Sequence, residues 1–247
     1  MTEILQTRIP HDVLSPRPLP GIAPLAMADW LDIDEAYAGQ MGARRRLLRE
    51  ARGTVLACEE GALAAAREVL DLVLEQLEGR AGFRRDGTVM HCPDGAEVTL
   101  DRDDPLATLG RIVQEDFCIL HKRGTEHVLT AAVLCFPASW SLAEKFQRPL
   151  IGIHRTVESY DDGLAKRVQR LFDGVKPGRP LWRFNALWYQ DPALHQPRTE
   201  DDPRRDVSEH DGPYMRSERQ CILRLPQSRA VVFSIHTYLL RREALGR

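Results

Sequence analysis

The change in hydrophobic period near residue 88 constrains the fold of this chain more than any other feature. Before it, residues 59–79 (EEGALAAAREVLDLVLEQLEG) repeat apolar side chains on one helical face, and Gly79 ends the repeat. After it, residues 88–100 and 115–136 alternate apolar and polar side chains, with Gly124 at the turn of the second stretch. The pattern predicts helices first and an antiparallel hairpin afterwards.

Further segments extend this order. Residues 27–57 and 160–175 are predicted to be helical, and residues 141–146 (SLAEKF) form a short helix. Strand-like alternation follows in three stretches, 181–189, 218–226 and 230–240, the last two joined as a hairpin. Strands divided by helices predict an α+β domain, with an antiparallel sheet that carries helices on one face and has an N-terminal helical extension.

Composition suggests where the domain boundary lies. The proline-rich segment at residues 15–25 is expected to run extended. We therefore expect residues 1–85 to form an N-terminal arm and helical extension packed on the core, and residues 86–247 to form the core. Residues 191–213 are polar, rich in proline and long, which is typical of a lid, a partner-binding segment or disorder.

Charge and motif content exclude several classes of protein. Lysine and arginine (34) nearly balance aspartate and glutamate (36), so no broad field favours duplex nucleic acid or a membrane surface. The chain has no secretory signal and no long apolar run, which predicts a cytoplasmic protein. Its five cysteines form no C-x-x-C pair and are expected to be buried free thiols. Nucleotide-loop, zinc-protease and hydrolase motifs are absent.

Scattered polar residues are therefore the candidates for chemistry. His154 precedes a predicted helix, and on spacing alone a core or capping histidine is the simpler interpretation. A pair at His91 and Cys92 is compatible with a thiolate ligand, but an exposed turn explains it more simply. Strand alternation places Arg183 and Asn185 on one face of residues 181–189, which makes that face polar enough for a ligand.

Three ordered segments resemble one known family. They are residues 131–160 (AAVLCFPASWSLAEKFQRPLIGIHRTVESY), 179–188 (RPLWRFNALW) and 218–239 (ERQCILRLPQSRAVVFSIHTYL). They resemble the haem-dependent oxidative N-demethylase family, the haem-carrying alpha subunit of bacterial dimethylamine monooxygenases. The resemblance runs from about residue 18 to 242 and implies a PAS-like haem-binding core.

The resemblance also implies an activity and its partners. Members are expected to bind haem b and remove a methyl group from a small methylated amine such as dimethylamine, using O2 and NADPH-derived electrons and releasing formaldehyde. The electrons are expected to arrive through companion subunits that carry flavin and an iron–sulfur centre. The iron supplies the difficult oxidation, and the protein holds the amine.

Site residues follow from the matched positions. His154 is the expected proximal iron ligand, with its other ring nitrogen held by a carbonyl or carboxylate. Arg183 and Arg219 are expected to bind the haem propionates, because the guanidinium fork matches carboxylate oxygens. Asn185 and Trp140 complete the expected cofactor-binding set.

The expected catalytic residues are those that surround the amine. Tyr160 and Tyr238, with Trp140, supply aromatic faces for a small cation, and Glu218 supplies a carboxylate. The sequence departs from the family pattern at four positions near this presumed pocket, namely Thr156, Glu158, Ala186 and His236, where the last replaces an arginine. Fold and haem are thus more firmly implied than the substrate.

Two other functions are compatible with the same residues. One is a non-catalytic haem-based sensor or carrier of gas or amine ligands with a PAS-like fold. The other is a haem-free small-molecule binding domain in which His154 is structural. Iron content and the absorption spectrum of the purified protein separate the three.

Overall fold

A computed structural model of the chain describes residues 3–15, 21–153, 162–202 and 212–245. The helices are α1 (Tyr37–Glu50), α2 (Arg52–Val55), α3 (Leu63–Leu77), α4 (Pro105–Ile112), α5 (Leu142–Lys145), α6 (Leu150–Ile153) and α7 (Asp162–Gly174). The strands are β1 (Ala23–Pro24), β2 (Leu56–Cys58), β3 (Arg84–Asp86), β4 (Val89–His91), β5 (Glu97–Thr99), β6 (Asp116–Arg123), β7 (Glu126–Val133), β8 (Leu181–Tyr189), β9 (Tyr214–Arg224) and β10 (Val231–Arg241).

A seven-stranded antiparallel sheet organises the fold. Its order is β1–β8–β9–β10–β6–β7–β2, and β3, β4 and β5 form a separate small antiparallel sheet. The β6–β7 hairpin turns at Gly124, whose φ of 62° suits glycine. Gly79 has a φ of 74° just after α3, as a helix-ending glycine should. The predicted α+β class is confirmed.

Helices cover both faces of the large sheet, so the prediction of helices on one face is wrong. Alternate residues of a strand point to opposite faces. Phe117 and Ile119 of β6 join a buried cluster with residues of α1, α3 and α4, whereas Cys118 and Leu120 join a second cluster with residues of α5 and α7 and with Leu150 of α6. We call the first side the extension face and the second side the α7 face.

The helical expectations hold in part. The first long helix begins at Tyr37, about ten residues later than expected, because residues 30–34 make tertiary hydrogen bonds instead: the Trp30 indole donates to Ser234 Oγ at 2.9 Å. Helix α4 was not predicted from the sequence. Seven of its eight residues are buried, because it packs against α1 and α3 and contacts β7.

The N-terminal residues contribute to the same core as the sheet. Val69 of α3 and Val232 of β10 belong to one buried cluster, and β1 and β2 are the two edge strands of the large sheet. The large sheet thus contains strands from before and from after residue 85. The division of the chain into two parts at that residue stays a prediction. Among the described residues, no helix is both long and apolar enough to cross a bilayer.

Candidate functional site

Polar side chains collect on the α7 face where β8, β9 and β10 lie side by side. Asn185 of β8 is the cross-strand partner of Glu218 on β9, and Thr237 of β10 is its partner on the other side. Cross-strand partners share a face and lie close together. We call the resulting group the Glu218 cluster; its members are Arg183, Asn185, Arg216, Glu218, Gln220 and Thr237.

The Glu218 carboxylate is buried and held in one orientation. Asn185 Nδ2 donates to Glu218 Oε2 at 3.0 Å, and Gln220 Nε2 donates to the same oxygen at 3.2 Å. Arg216 Nη2 lies 3.8 Å from the other oxygen, Oε1, and the Glu218 side chain is only 8% exposed. A buried carboxylate is costly unless it is partnered, and two amides and one guanidinium provide that here. Oε1 thus keeps hydrogen-bonding capacity that no neighbouring amide uses.

Three hydrogen-bonding atoms of the Glu218 cluster are buried and have no hydrogen-bond partner among the described residues. They are Arg183 Nε, Arg216 Nε and Thr237 Oγ1. Each unsatisfied group costs on the order of 1–3 kcal/mol, so their presence on one face calls for an explanation. Burial also lowers the pKa of the Arg183 guanidinium, against the opposing charge of Glu218. A bound anion or polar ligand would satisfy these donors.

Apolar surface adjoins the Glu218 cluster. Ile222, Val231 and Ile235 are buried on the α7 face together with Phe172, and Trp140 packs partly buried against the same group. A face that is polar at one end and apolar at the other suits an amphipathic planar ligand. Trp140 thus lies on the same side of the sheet as the Glu218 cluster.

The chain leaves this apolar region at Ile153, the residue before His154. Helix α6 packs beside β7, where Leu129 N–H donates to Arg148 O at 3.1 Å. His154 and Tyr160 lie outside the described residues, as do Thr156 and Glu158. Their expected roles stay predictions.

The first part of the long loop at residues 191–213 is held against the α7 side. Lys145 of α5, which is buried, donates to Glu200 at 2.9 Å. Residues 203–211 lie outside the described residues, so a role of the loop as a lid stays a prediction.

Arg219 lies on the extension face, across the sheet from Arg183. Its guanidinium donates to the backbone carbonyls of Trp30, at 3.0 Å, and of Asp29, and it stacks over the Trp182 ring at 5.8 Å. Arg219 follows Glu218 directly in β9, and neighbouring strand residues point to opposite faces. The structure therefore does not bring the two expected propionate partners together.

Tyr238 also lies on the extension face. Its hydroxyl donates to Asp32, and burial, with the Asp32 charge, raises the pKa of this tyrosine. Tyr238 is the cross-strand partner of Ser217, one residue before Glu218, and so points away from the Glu218 cluster. The aromatic side chains expected around an amine are thus split between the two faces.

The extension face has a surface cavity of its own. Its volume is about 330 Å³, and its lining includes His11, Asp29, Asp32, Arg80, Trp182 and Arg219. The guanidinium of Arg80 is engaged by the Leu31 and Ala28 carbonyls, as that of Arg219 is by Trp30 and Asp29. Arg219 thus fastens the segment at residues 28–31 to β9, and Arg80 fastens it to the turn that follows α3.

His236 is fully buried on the extension face between two carboxylates. Its Nε2 lies 3.1 Å from Asp34 Oδ2 and its Nδ1 lies 3.2 Å from Glu115 Oε1. Burial opposes the charged imidazolium, but the two carboxylates outweigh it and raise the pKa of His236 to about 10. The residue is therefore expected to be a cation at neutral pH.

Two departures from the family pattern thus lie away from the Glu218 cluster. His236 and Ala186 both point to the extension face, Ala186 because it lies between Asn185 and Leu187 in β8. The expectation that the four departures adjoin one pocket stays a prediction, because Thr156 and Glu158 lie outside the described residues.

The cysteines offer no thiolate ligand among the described residues. All five are free, four are buried, and Cys58 is exposed, contrary to the expectation for that residue. Burial raises the pKa of Cys92, which disfavours the thiolate that a metal ligand needs. We therefore do not assign His91 and Cys92 a ligand role. The alternative prediction of an exposed turn is wrong for Cys92, which is buried.

Arg216, Gln220 and Thr237 were missed by the sequence reasoning. Gln220 could have been found from the sequence, because it lies two residues after Glu218 in one predicted strand and alternate strand residues share a face. Placing Thr237 beside Glu218 needs the β9–β10 register, which the sequence alone does not give.

A family comparison covers nearly the whole chain. The family model described as haem-dependent oxidative N-demethylase, alpha subunit-like, matches residues 21–246.

Proposed function

The chain belongs to the haem-dependent oxidative N-demethylase, alpha subunit-like family, and we propose that it binds haem b on the α7 face and demethylates a small methylated amine such as dimethylamine. The observation that carries this proposal is the Glu218 cluster, in which a fixed carboxylate and three unpaired atoms adjoin apolar surface. The reaction consumes O2 and two NADPH-derived electrons and releases formaldehyde, the shorter amine and water.

We assign haem to the α7 face because its apolar residues match the chemistry of the macrocycle and the donors of the Glu218 cluster match the anionic propionates. Arg183 would hold a propionate through its buried Nε, which no described residue of the chain bonds. Asn185, beside it, and Trp140, at the apolar end, complete the proposed cofactor set. His154 would be the iron ligand, a role that rests on the matched family position. Arg219 is left out, because it faces the other side of the sheet.

Glu218 would bind the amine. Methylated amines of this size are cations at neutral pH, and an oriented buried carboxylate is a strong acceptor for an ammonium N–H. The amides of Asn185 and Gln220 keep the carboxylate turned in one direction, so the methyl groups of the bound cation are positioned as well. Bound haem supplies the oxygen activation.

Aromatic walls would complete the amine site. We assign them to Trp140 and Tyr160, which adds a cation–π contact to the carboxylate. Tyr238 is excluded from this wall by its place on the extension face. The core strands and helices from residue 86 onward are proposed to be PAS-like, and partner subunits with flavin and iron–sulfur centres are proposed to deliver the electrons.

An absorption spectrum tests the cofactor half of the proposal. Wild-type protein reconstituted with haem should show a Soret band, His154→Ala should lose or shift it, and His91→Ala should keep it as the matched control. A wild type without a Soret band would remove the proposal. Formaldehyde release with dimethylamine tests the second half, and a ligand-dependent spectral shift without any product would favour a sensor or carrier instead.

A further inference from the structure

The outward side of α7 carries three basic side chains that form no ion pair within the described part of the chain. Lys166, Arg167 and Arg170 are exposed, and their spacing of three and four residues places them on one side of the helix. None of the three forms an ion pair with another described residue within 4 Å. Such uncompensated charge on one side of a helix is available to a partner.

The turn after α7 extends this charge. Lys176 and Arg179 are exposed there and likewise form no ion pair among the described residues. The single carboxylate within residues 164–179 is Asp173, and Lys122 neutralises it at 2.5 Å. We call Lys166, Arg167, Arg170, Lys176 and Arg179 the basic face; it is a local feature, since the whole chain has a net charge of −2.

The size of the basic face selects the kind of partner. Duplex DNA binding typically engages about six to ten phosphates, more than five cations can neutralise. A membrane-surface helix needs an apolar side free for insertion, but Leu164 and Phe172 of α7 are buried against the protein. A protein with an acidic surface matches five cations at the rim of an interface.

The position of α7 indicates what a partner bound to the basic face would do. Its inner side, through Phe172, packs in the same buried cluster as Ile222 and Ile235, on the face proposed to hold haem. A protein docked on the basic face is therefore separated from that cofactor by little more than one helix. The family description as an alpha subunit implies further subunits.

We propose that the basic face docks the acidic surface of an electron-donating partner protein. This inference rests on the proposed function, because only a redox cofactor on the α7 face gives such a donor something to reduce. Complementary charge steers the encounter, so the association rate should fall steeply with ionic strength.

The test compares two triple charge reversals. One is Lys166→Glu, Arg167→Glu and Arg170→Glu on the basic face. The matched control is Arg46→Glu, Arg84→Glu and Arg85→Glu, which makes the same change in net charge at exposed arginines of α1 and β3. The probe is an acidic [2Fe–2S] ferredoxin, reduced chemically.

Two measurements are made at about 20 mM and about 200 mM salt, which changes electrostatic screening severalfold. Calorimetry gives the ferredoxin affinity with and without haem, and stopped-flow absorbance gives the rate of haem reduction. At low salt we expect the α7 triple variant to lose about tenfold or more in ferredoxin affinity and in the rate of haem reduction. The control triple variant should stay within about twofold of wild type in both quantities. A wild type whose affinity is absent or insensitive to salt, or two triples with equal losses, would overturn the proposal.

Failure of the docking proposal and of the proposed function are distinguishable. A protein without a Soret band contradicts haem binding, while the calorimetry on haem-free protein still decides docking. Thermal melting monitors folding of both triples. If the glutamate triple does not fold, the triple Lys166→Gln, Arg167→Gln and Arg170→Gln should weaken binding about threefold, and no weakening would again overturn the proposal.

Discussion

Asn185 and Glu218 exchange two hydrogen bonds across the β8–β9 pair. Asn185 Nδ2 donates to Glu218 Oε2 at 3.0 Å, and the Glu218 backbone N–H donates to Asn185 Oδ1 at 3.1 Å. The amide is thereby locked, and it fixes the carboxylate in turn. Asn185 is a positioning residue for Glu218 in the proposed amine site.

Glu218→Gln should weaken amine binding while keeping haem. The substitution preserves shape and removes the negative charge, and truncating one partner of a buried charge pair costs about 2 kcal/mol or more, or about 30-fold. The apparent KM for dimethylamine should rise by that factor, measured by formaldehyde release. Glu75→Gln, an exposed change on α3, is the control, and equal KM values for both variants would argue against a carboxylate at the amine.

Arg183→Ala and Arg219→Ala should affect different properties. Loss of Arg183 should weaken haem binding about tenfold or more, because a charged hydrogen bond contributes about 1.5–3 kcal/mol. Loss of Arg219 should leave haem affinity within about twofold but lower the melting temperature, since the carbonyls of Asp29 and Trp30 lose their donor. Haem titration and thermal melting separate the two, and the reverse pattern would place the cofactor on the extension face.

Thr237→Val should stabilise the haem-free protein. The Thr237 hydroxyl is buried and bonds none of the residues that the structure describes, and its replacement by a methyl group of similar shape removes a desolvation cost of about 1 kcal/mol or more. The same change should weaken ligand binding if the hydroxyl is reserved for a ligand. Thr108→Val is the control, because its hydroxyl is bonded to Asp101 O and Asp104 O, each at 3.1 Å, and it should destabilise. A lower melting temperature for Thr237→Val would contradict the idea.

His236 should make stability fall as the solution turns alkaline. Its folded-state pKa of about 10 is above the value of about 6.5 expected in the unfolded chain, so its contribution is complete below pH 6.5 and is lost as pH rises through 10. Between these two pKa values the free energy of unfolding should fall by up to about 1.4 kcal/mol per pH unit. Denaturant titrations between pH 6 and 10 measure it. His236→Arg keeps the charge and should flatten the profile, and an equally steep arginine variant would assign the slope to another group.

Strand periodicity predicted β8 more accurately than any other strand. The predicted strand at residues 181–189 has the bounds found in the structure, and alternation correctly placed Arg183 and Asn185 on one face. The same rule separates Glu218 from Arg219, which are adjacent in β9, yet both were assigned to one pocket. That error was avoidable from the sequence.

Other features required the tertiary structure. Tyr238 falls opposite Ser217 instead of Glu218 only because of the β9–β10 register, which long-range pairing sets. Helices cover both faces because α1, α3 and α4 pack on one side of the sheet and α5 and α7 on the other, and periodicity does not say on which side a helix packs. His236 is buried between Asp34 and Glu115, and both carboxylates are more than a hundred positions away from it in the sequence. Hydrophobic periodicity predicts only local structure and therefore does not predict these contacts.

The origin of the outer strands limits how this protein can be dissected. Because β1 and β2 come from the first 85 residues and border β8 and β7, a fragment that starts at residue 86 would uncover backbone at both margins of the sheet. It would also strip the apolar cover supplied by α1 and α3. Unpaired edge strands beside exposed apolar surface pair with other chains, so we expect such a fragment to aggregate.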